Sequence, residues 1–282
     1  MSSPQWLALR GALGETAGRF ARLLVAVGDP DADARAVGTW SVGDVAAHVH
    51  EVSIIDSWFV TGEEPAGDLR ELYDMATTAS VDRVRDLNAL ALRLLPERSP
   101  RALASLVEAN VGVVLEATAA ADGDEQIAWL GGTKVPLRAV LGHMLSELFV
   151  HGNDVAGAEN GSFPIPASYG RLILETFLLE LLRSPDAARF GGDRSSAPKP
   201  VACELRPWGA EPVLVVAGDD GLAVRPPDGH PVDARISADP ATLWLVMCHR
   251  TSALRAVLTR SVVVSGPRPW RLRRLARLLR TP

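Results

Sequence analysis

Cysteine is scarce in this chain: 282 residues contain only Cys203 and Cys248. Two isolated thiols cannot make a disulfide framework. The formal net charge is −5 and the one cationic stretch, near the C-terminus, has leucines at helical spacing, so nucleic acid is not an expected partner. No segment approaches the ~18 uninterrupted apolar residues that span a bilayer, and no membrane partner is expected. The opening Met1-Ser-Ser-Pro-Gln-Trp6 lacks the charged start and apolar stretch of a secretory signal. Together these absences lead to the expectation of a cytoplasmic protein. Internal repeats and low-complexity tracts are missing too.

Hydrophobic residues make up 47% of the chain and charged residues 22%, which is ample for packed cores in about two domains. The first two-thirds has helical periodicity. Gln5 to Val27 carries Leu7, Leu13, Phe20, Leu23 and Leu24 at helical spacing, and Gly28-Asp-Pro30 ends it. A second helix is expected from Ser41, a good N-cap with Asp44 as capping-box acid, to Val60. Val81 to Leu95, Arg101 to Ala120, Pro136 to about Ala156 and Pro166 to about Leu182 complete the helical part, and Ala128 to Pro136 is extended or looped. Long helices with short connections predict an up-and-down bundle, an architecture that often holds metal ligands in its core.

Composition changes after Arg183, and the stretch from Phe190 to Pro200 has the character of a linker or surface loop. Beyond it, Val201–Leu205, Pro212–Ala217 and Leu222–Arg225 are expected strands, with a turn at Gly218-Asp-Asp-Gly221. Ala241–Leu258 is an expected helix, Ser261–Ser265 a strand, and Trp270 onward a last helix. The cationic run from Arg268 to Arg280 has leucines at helical spacing, consistent with an amphipathic helix docked on its own domain. The expected division is a helical bundle over 1–185 and a small α+β domain over 198–282.

Two histidine motifs carry the chemistry. One is Trp40-Ser-Val-Gly-Asp-Val-Ala-Ala-His48, and the other is Ser146-Glu147-Leu-Phe-Val-His151-Gly-Asn-Asp154. Glu147 and His151 are four residues apart and project from one helix face. A facing helix with His48 would complete a two-histidine, one-carboxylate set that leaves a coordination position open. His48 lies in an apolar stripe with Val45 and Val52, whereas His50 precedes Glu51 and fits a solvated face. His143 is four residues before Glu147 and forms an alternative pair with it. His143 and His151 are ~12 Å apart along a helix axis and cannot share one ion. Asp44 and Asp154 are placed to hold the free ring nitrogens of His48 and His151, although Asp44 has a competing role as the capping acid.

These residues, with Thr133-Lys-Val-Pro136 between them, resemble the mycothiol-dependent maleylpyruvate isomerase family. The resemblance covers nearly the whole chain. It implies a DinB-like four-helix bundle followed by a small α+β, sterol-carrier-like domain. It also implies a divalent metal, zinc in the first instance, held by His48, Glu147 and His151. The thiol cosubstrate would be mycothiol, the low-molecular-weight thiol of actinobacteria. Arginines that hold substrate carboxylates would correspond to Arg70, after Thr61-Gly-Glu-Glu64, and to Arg250. The family has a Gly-Arg pair at the second of these positions, and here the pair is His249-Arg250.

The implied chemistry is addition of a zinc-activated thiolate to a small electrophilic substrate. In an isomerase the adduct's former double bond rotates before the thiol leaves. Arg70 and Arg250 would then orient carboxylates and stabilise enolate charge. A mycothiol S-transferase would keep the metal and thiol site but have an apolar pocket in place of the arginine clamp. A metal-stabilised binding or regulatory protein is the non-catalytic rival, with Cys203 and Cys248 as its redox sensors. A monomer and a homodimer fit the sequence equally.

Overall fold

The computed structural model describes residues 3–184, 200–218 and 221–278. These divide into two compact units, Met1–Ile165 and Pro166–Pro282.

The first unit is built on four long helices. They are α1 (Ser3–Val27), α2 (Val42–Thr61), α5 (Pro100–Ala117) and α6 (Leu137–Ala158). Both α1 and α2 pack against α5 and α6, which closes a four-helix bundle. The inward stripe of α1 is Leu9, Leu13, Phe20 and Leu24, all fully buried, in the a/d-like spacing that such packing requires. Leu7, expected on that stripe, points outward and is 63% exposed. Two shorter helices, α3 (Leu69–Thr78) and α4 (Val84–Leu94), pack beside α2 and bury Leu72, Leu87 and Leu90 against Ile55 and Trp58. α3 has no counterpart among the expected helices, because its ten residues carry few apolar side chains beyond Leu69, Leu72 and Met75.

Ser41 caps α2 as expected. Its hydroxyl accepts from the Asp44 N–H at 3.1 Å, while the Asp44 carboxylate accepts from the Ser41 N–H, also at 3.1 Å. Just before it, β1 (Arg35–Val37) and β2 (Trp40–Ser41) form a two-stranded ribbon that fixes where Trp40 enters. The extended approach to α6 is a hairpin of β3 (Gln126–Trp129) and β4 (Thr133–Pro136), paired in antiparallel register from Gln126–Pro136 to Trp129–Thr133.

Near its end α6 lies hard against the segment that follows it. A Cβ on Gly152 would sit 2.4 Å from the Phe163 ring. That ring is also held from outside by the Arg19 guanidinium, 4.9 Å from its centroid. Gly152→Ala therefore trades a helix-propensity gain of about 1 kcal/mol for overpacking that costs about 1–3 kcal/mol or more. A lowered urea midpoint with an unchanged m-value is the expected result, and an unaltered midpoint would show that Phe163 yields freely.

The second unit begins with a helix interrupted by one wide turn. It comprises α7 (Ala167–Leu172), a π-helical turn at Ile173–Leu178 and α8 (Leu179–Arg183). Composition placed this helix with the bundle, in the segment 1–185, whereas its packing groups it with the second unit. Gly170 explains why: a Cβ there would lie 2.5 Å from the backbone nitrogen of Ala241, so the missing side chain admits close packing on α9 (Pro240–Met247). Phe177 also meets Trp244 of α9 edge-on at 5.8 Å. The expected linker up to residue 199 and both expected domain ends at 185 and 198 lie outside the described residues, as do the two central residues of the Gly218–Gly221 turn.

Five strands make the sheet of this unit. They are β5 (Val201–Pro207), β6 (Val213–Gly218), β7 (Gly221–Arg225), β8 (Ala234–Ala238) and β9 (Val262–Ser265), in the order β7-β6-β5-β8-β9. Only the central pair, β5 and β8, is parallel. β8 was not expected, because Ala234-Arg-Ile-Ser-Ala238 is short and not strongly apolar. The last described helix, α11 (Leu272–Leu278), packs Leu272 and Leu275 on the sheet, and Arg268 and Arg271 both pair with the buried Asp233. The cationic run thus docks on its own domain through Arg268, Arg271, Leu272 and Leu275, and its last two residues lie outside the described residues.

The expected helix Ala241–Leu258 is broken into α9 and α10 (Ala253–Leu258). The break is a Schellman ending: His249 N–H bonds to Val246 C=O and Arg250 N–H to Leu245 C=O, with His249 at φ +59°. That left-handed position is one glycine occupies freely. Histidine stands at it here, ahead of Arg250.

Candidate metal centre

Three side chains from two helices of the bundle meet at one point. His48 is carried by α2, and Glu147 and His151 lie one turn apart on α6. The Nε2 atoms of His48 and His151 lie 3.4 Å and 3.2 Å from the same oxygen, Oε2 of Glu147. One ligand atom from each residue lies within 4.8 Å of the others. A tetrahedral ion with bonds of about 2.0–2.1 Å has ligand–ligand edges of about 3.3 Å, so these separations suit a zinc-sized ion. Two imidazoles and one carboxylate also form the donor set of catalytic rather than structural zinc. Both histidine side chains are 8% exposed and that of Glu147 is 22% exposed, so the carboxylate is the least buried of the three.

Each imidazole is fixed through its other nitrogen. His151 Nδ1 lies 2.9 Å from Oδ2 of Asp154, the partner expected from spacing. His48 Nδ1 lies 3.2 Å from Oε2 of Glu51. Asp44 was the expected candidate for this second contact, but its carboxylate is committed to the cap and to the Arg98 guanidinium at 3.0 Å. Glu51 stands three residues after its histidine, as Asp154 does, and that shared spacing was the available signal. Both contacts turn Nε2 toward the site and fix the ring orientation, as carboxylates behind metal-binding histidines do. Trp40 stands beside the rings, its centroid 5.0 Å from that of His48 and 6.5 Å from that of His151.

The electrostatics agree with a strongly coupled cluster. Burial opposes protonation of His48, but hydrogen bonds and charges from Glu147 and Glu51 outweigh it and raise its pKa to about 10. Burial alone would raise the pKa of Glu147, yet hydrogen bonds from His151 and His48 and the nearby His143 hold it well below the ordinary carboxylate value. Glu51 is raised, chiefly by burial, with His48 opposing. Without metal, a proton on His48 thus offsets part of the buried negative charge.

The remaining candidates fall differently. His50 is not on a solvated face: it is 7% exposed, because α2 is covered by α4, α5 and α6, and burial lowers its pKa. His143 faces the other oxygen of Glu147, with Nε2 at 3.5 Å from Oε1, and its Nδ1 lies 2.7 Å from Asp56 Oδ2. Asp56 also accepts from the Trp129 indole N–H at 2.8 Å. Periodicity suggested the His143–Glu147 contact, whereas Asp56 and Trp129 lay beyond it, since both are distant in sequence from α6. Arg70 is exposed at the start of α3 and is paired with Glu64 and Asp74. Arg250 belongs to the second unit, and its Nη1 donates to the Cys248 carbonyl at 2.7 Å. Cys203 is buried in the central strand of the sheet, and burial, with Glu204 and Asp233, pushes its thiol up to about 12, far from a reactive range.

Residues 13–156, just over half of the chain, match a family described as the mycothiol maleylpyruvate isomerase N-terminal domain. Among solved structures, the chain is similar to a mycothiol-dependent maleylpyruvate isomerase at 17% identity and a TM-score of 0.51, over 93% of this chain and 96% of that one. A histidine-to-alanine variant of such an isomerase aligns at 16% identity with a TM-score of 0.50 and the same coverage. At that identity the likeness establishes the fold across both units. No curated protein matches the sequence. Among the described residues no helix is long and apolar enough to cross a membrane.

Proposed function

Because the chain belongs to the mycothiol-dependent maleylpyruvate isomerase family, we propose that it is a metal-dependent enzyme that uses a low-molecular-weight thiol against a small electrophilic substrate. The observation that carries this reading is the convergence of the His48 and His151 Nε2 atoms on one Glu147 oxygen, at separations that suit the ligand edges of a tetrahedral ion. These three residues would hold a divalent ion, with zinc the best match to the donors. When bound, zinc supplies stabilisation of a thiolate at neutral pH.

The chain's own side chains do the rest. Glu51 and Asp154 keep both Nε2 atoms aimed at the site, and the Trp40 indole packs beside the two imidazoles. The family resemblance points to mycothiol as the thiol. Its thiolate would add to an activated carbon–carbon double bond, and the electron pair would move onto the conjugated carbonyl. Rotation about the resulting single bond and expulsion of the thiolate would then complete a cis–trans isomerisation. Arg250 is the residue we assign to holding a substrate carboxylate. Its backbone position is set by the left-handed turn at His249, so the missing glycine leaves the turn itself intact.

One observation favours thiol transfer as a second reading. Arg70, the other expected carboxylate holder, already serves Glu64 and Asp74. A guanidinium neutralised twice is a weak clamp for a dicarboxylate.

Assaying zinc-loaded protein with mycothiol against maleylpyruvate, and separately against an apolar electrophile, distinguishes the readings. Isomerase activity should fall at least about 100-fold in His48→Ala, on the scale of losing a principal catalytic contribution. Conjugate formation without isomerisation identifies the transferase. No thiol-dependent turnover of either compound leaves a metal-stabilised binding protein and defeats the enzyme reading.

A further inference from the structure

Glu147 is held from two sides. Oε2 faces the two imidazoles of the candidate centre, while Oε1 faces Nε2 of His143 at 3.5 Å. His143 is itself anchored, with Nδ1 at 2.7 Å from Asp56, and Asp56 is anchored in turn by the Trp129 indole N–H at 2.8 Å. The chain of contacts draws on three elements, with Asp56 from α2, Trp129 from β3, and His143 with Glu147 from α6. Asp56 is 1% exposed, Trp129 3% and His143 9%, so the arrangement is sealed from water. The Trp129 and His143 rings also meet edge-on at 4.8 Å, which restricts ring rotation. Sealing the Asp56 carboxylate and the His143 imidazole in a bundle core is costly unless each meets a partner, and here they are connected to each other and, at the half-buried end, to Glu147.

A carboxylate free to rotate can offer a metal one oxygen or both, and with both it fills the position a cosubstrate needs. We propose that His143, held by Asp56 and Trp129, is a positioning residue that keeps Oε1 of Glu147 turned away, so that only Oε2 is offered to the ion and the fourth position stays open. The role reaches the site through Glu147 and requires no contact between His143 and ion or substrate. It rests on the metal-centre reading above, and its test separates failure of the two.

Asparagine and glutamine divide the two ends of the imidazole. His143→Asn places an amide where Nδ1 was, keeping the Asp56 contact but falling short of Glu147. His143→Gln places its amide near Nε2, reaching Glu147. The full-length protein is stripped of metal and titrated with Co2+ alone, reading the dissociation constant by chelator competition and the coordination number from the visible spectrum. His143→Asn is expected to weaken Co2+ by about 10–100-fold, the scale of losing a partner behind a ligand. Its spectrum should move toward the weaker bands of a five-coordinate ion. His143→Gln is expected to keep the wild-type spectrum and an affinity within about threefold, well inside that range.

If His143 served only to satisfy Asp56, the order would reverse, with Asn harmless and Gln damaging, and that result overturns the proposal. A His143→Asn variant indistinguishable from wild type overturns it as well, while leaving the metal centre standing. Wild-type protein that binds no Co2+ defeats both readings together. Should His143→Asn fail to fold, Asp56→Asn addresses the same chain of contacts. A tenfold loss there, at the low end for such a partner, supports the role, and an unchanged constant overturns it.

Discussion

Glu147→Ala is expected to empty the metal centre. Wild-type protein purified with zinc should carry about one ion per chain, as a three-ligand site with an open position holds. The variant should carry almost none, with affinity reduced by well over the ~100-fold that removal of an outer partner costs. The size of the effect follows from geometry. Both imidazoles are aimed at a single atom, Oε2 of Glu147, and no other carboxylate joins the group among the described residues. Loss of that atom leaves two histidines without the anion that balances a divalent charge. Elemental analysis and chelator competition measure the outcome. An unchanged metal content in Glu147→Ala would remove the basis of the proposed function.

The second large effect is pH dependence, and its sign differs between the metal-free and metal-bound protein. In the metal-free chain the pKa of His48 is raised from 6.5 to about 10, with the carboxylates of Glu147 and Glu51 outweighing burial. A raised pKa means the folded protein holds a proton that the unfolded chain releases. The stabilisation is therefore fully present below pH 6.5 and is lost as pH rises through about 10. At about 1.4 kcal/mol per unit, the loss across that window approaches 5 kcal/mol as a ceiling. Urea melts of chelator-treated protein at several pH values between 6.5 and 10 should show the midpoint falling, and a flat profile would contradict the coupling.

Metal binding runs the other way. An ion needs neutral His48, so binding displaces that proton. Apparent affinity should tighten about tenfold per pH unit below the raised pKa and level off near it. Zinc competition across the same range reads the slope directly. A pH-independent constant would mean that His48 is already neutral in the metal-free protein.

Much of this site could be read from residue order. The interval of four between Glu147 and His151 sets their common face, because the helix repeat allows little else. The interval of three between His151 and Asp154 likewise set their contact, which is 2.9 Å in the structure. The same interval joins His48 to Glu51, whereas Asp44 competes for that role in the sequence, since one carboxylate at a helix start can serve either a cap or a histidine. His50 misled because a neighbouring glutamate ordinarily marks a wet face, and here that glutamate is itself buried against His48.

In the second unit, the runs Val201–Leu205 and Pro212–Ala217 announced strands through their apolar content, whereas β8 has little of it and gains its place by pairing with β5. The helix Ala167–Arg183 has a bundle-like pattern. Its assignment turned on one absent side chain, Gly170, against Ala241 seventy-one positions away.

The sequence by itself determined the helices of the bundle, the two-part organisation and the pairing of Glu147 with His151, because each depends on short-range periodicity that the backbone enforces. Only the tertiary structure decided that Glu51 rather than Asp44 holds His48, that Glu147 divides its two oxygens between the centre and His143, and that Asp56 and Trp129 stand behind them. The Glu51 and His143 contacts are local in sequence and lay among several such possibilities, whereas the two Asp56 contacts join α2, the β3–β4 hairpin and α6 across 73 and 87 residues of chain. Separations of that length carry no local pattern. They are fixed only when packing of the bundle leaves buried polar groups no other partners.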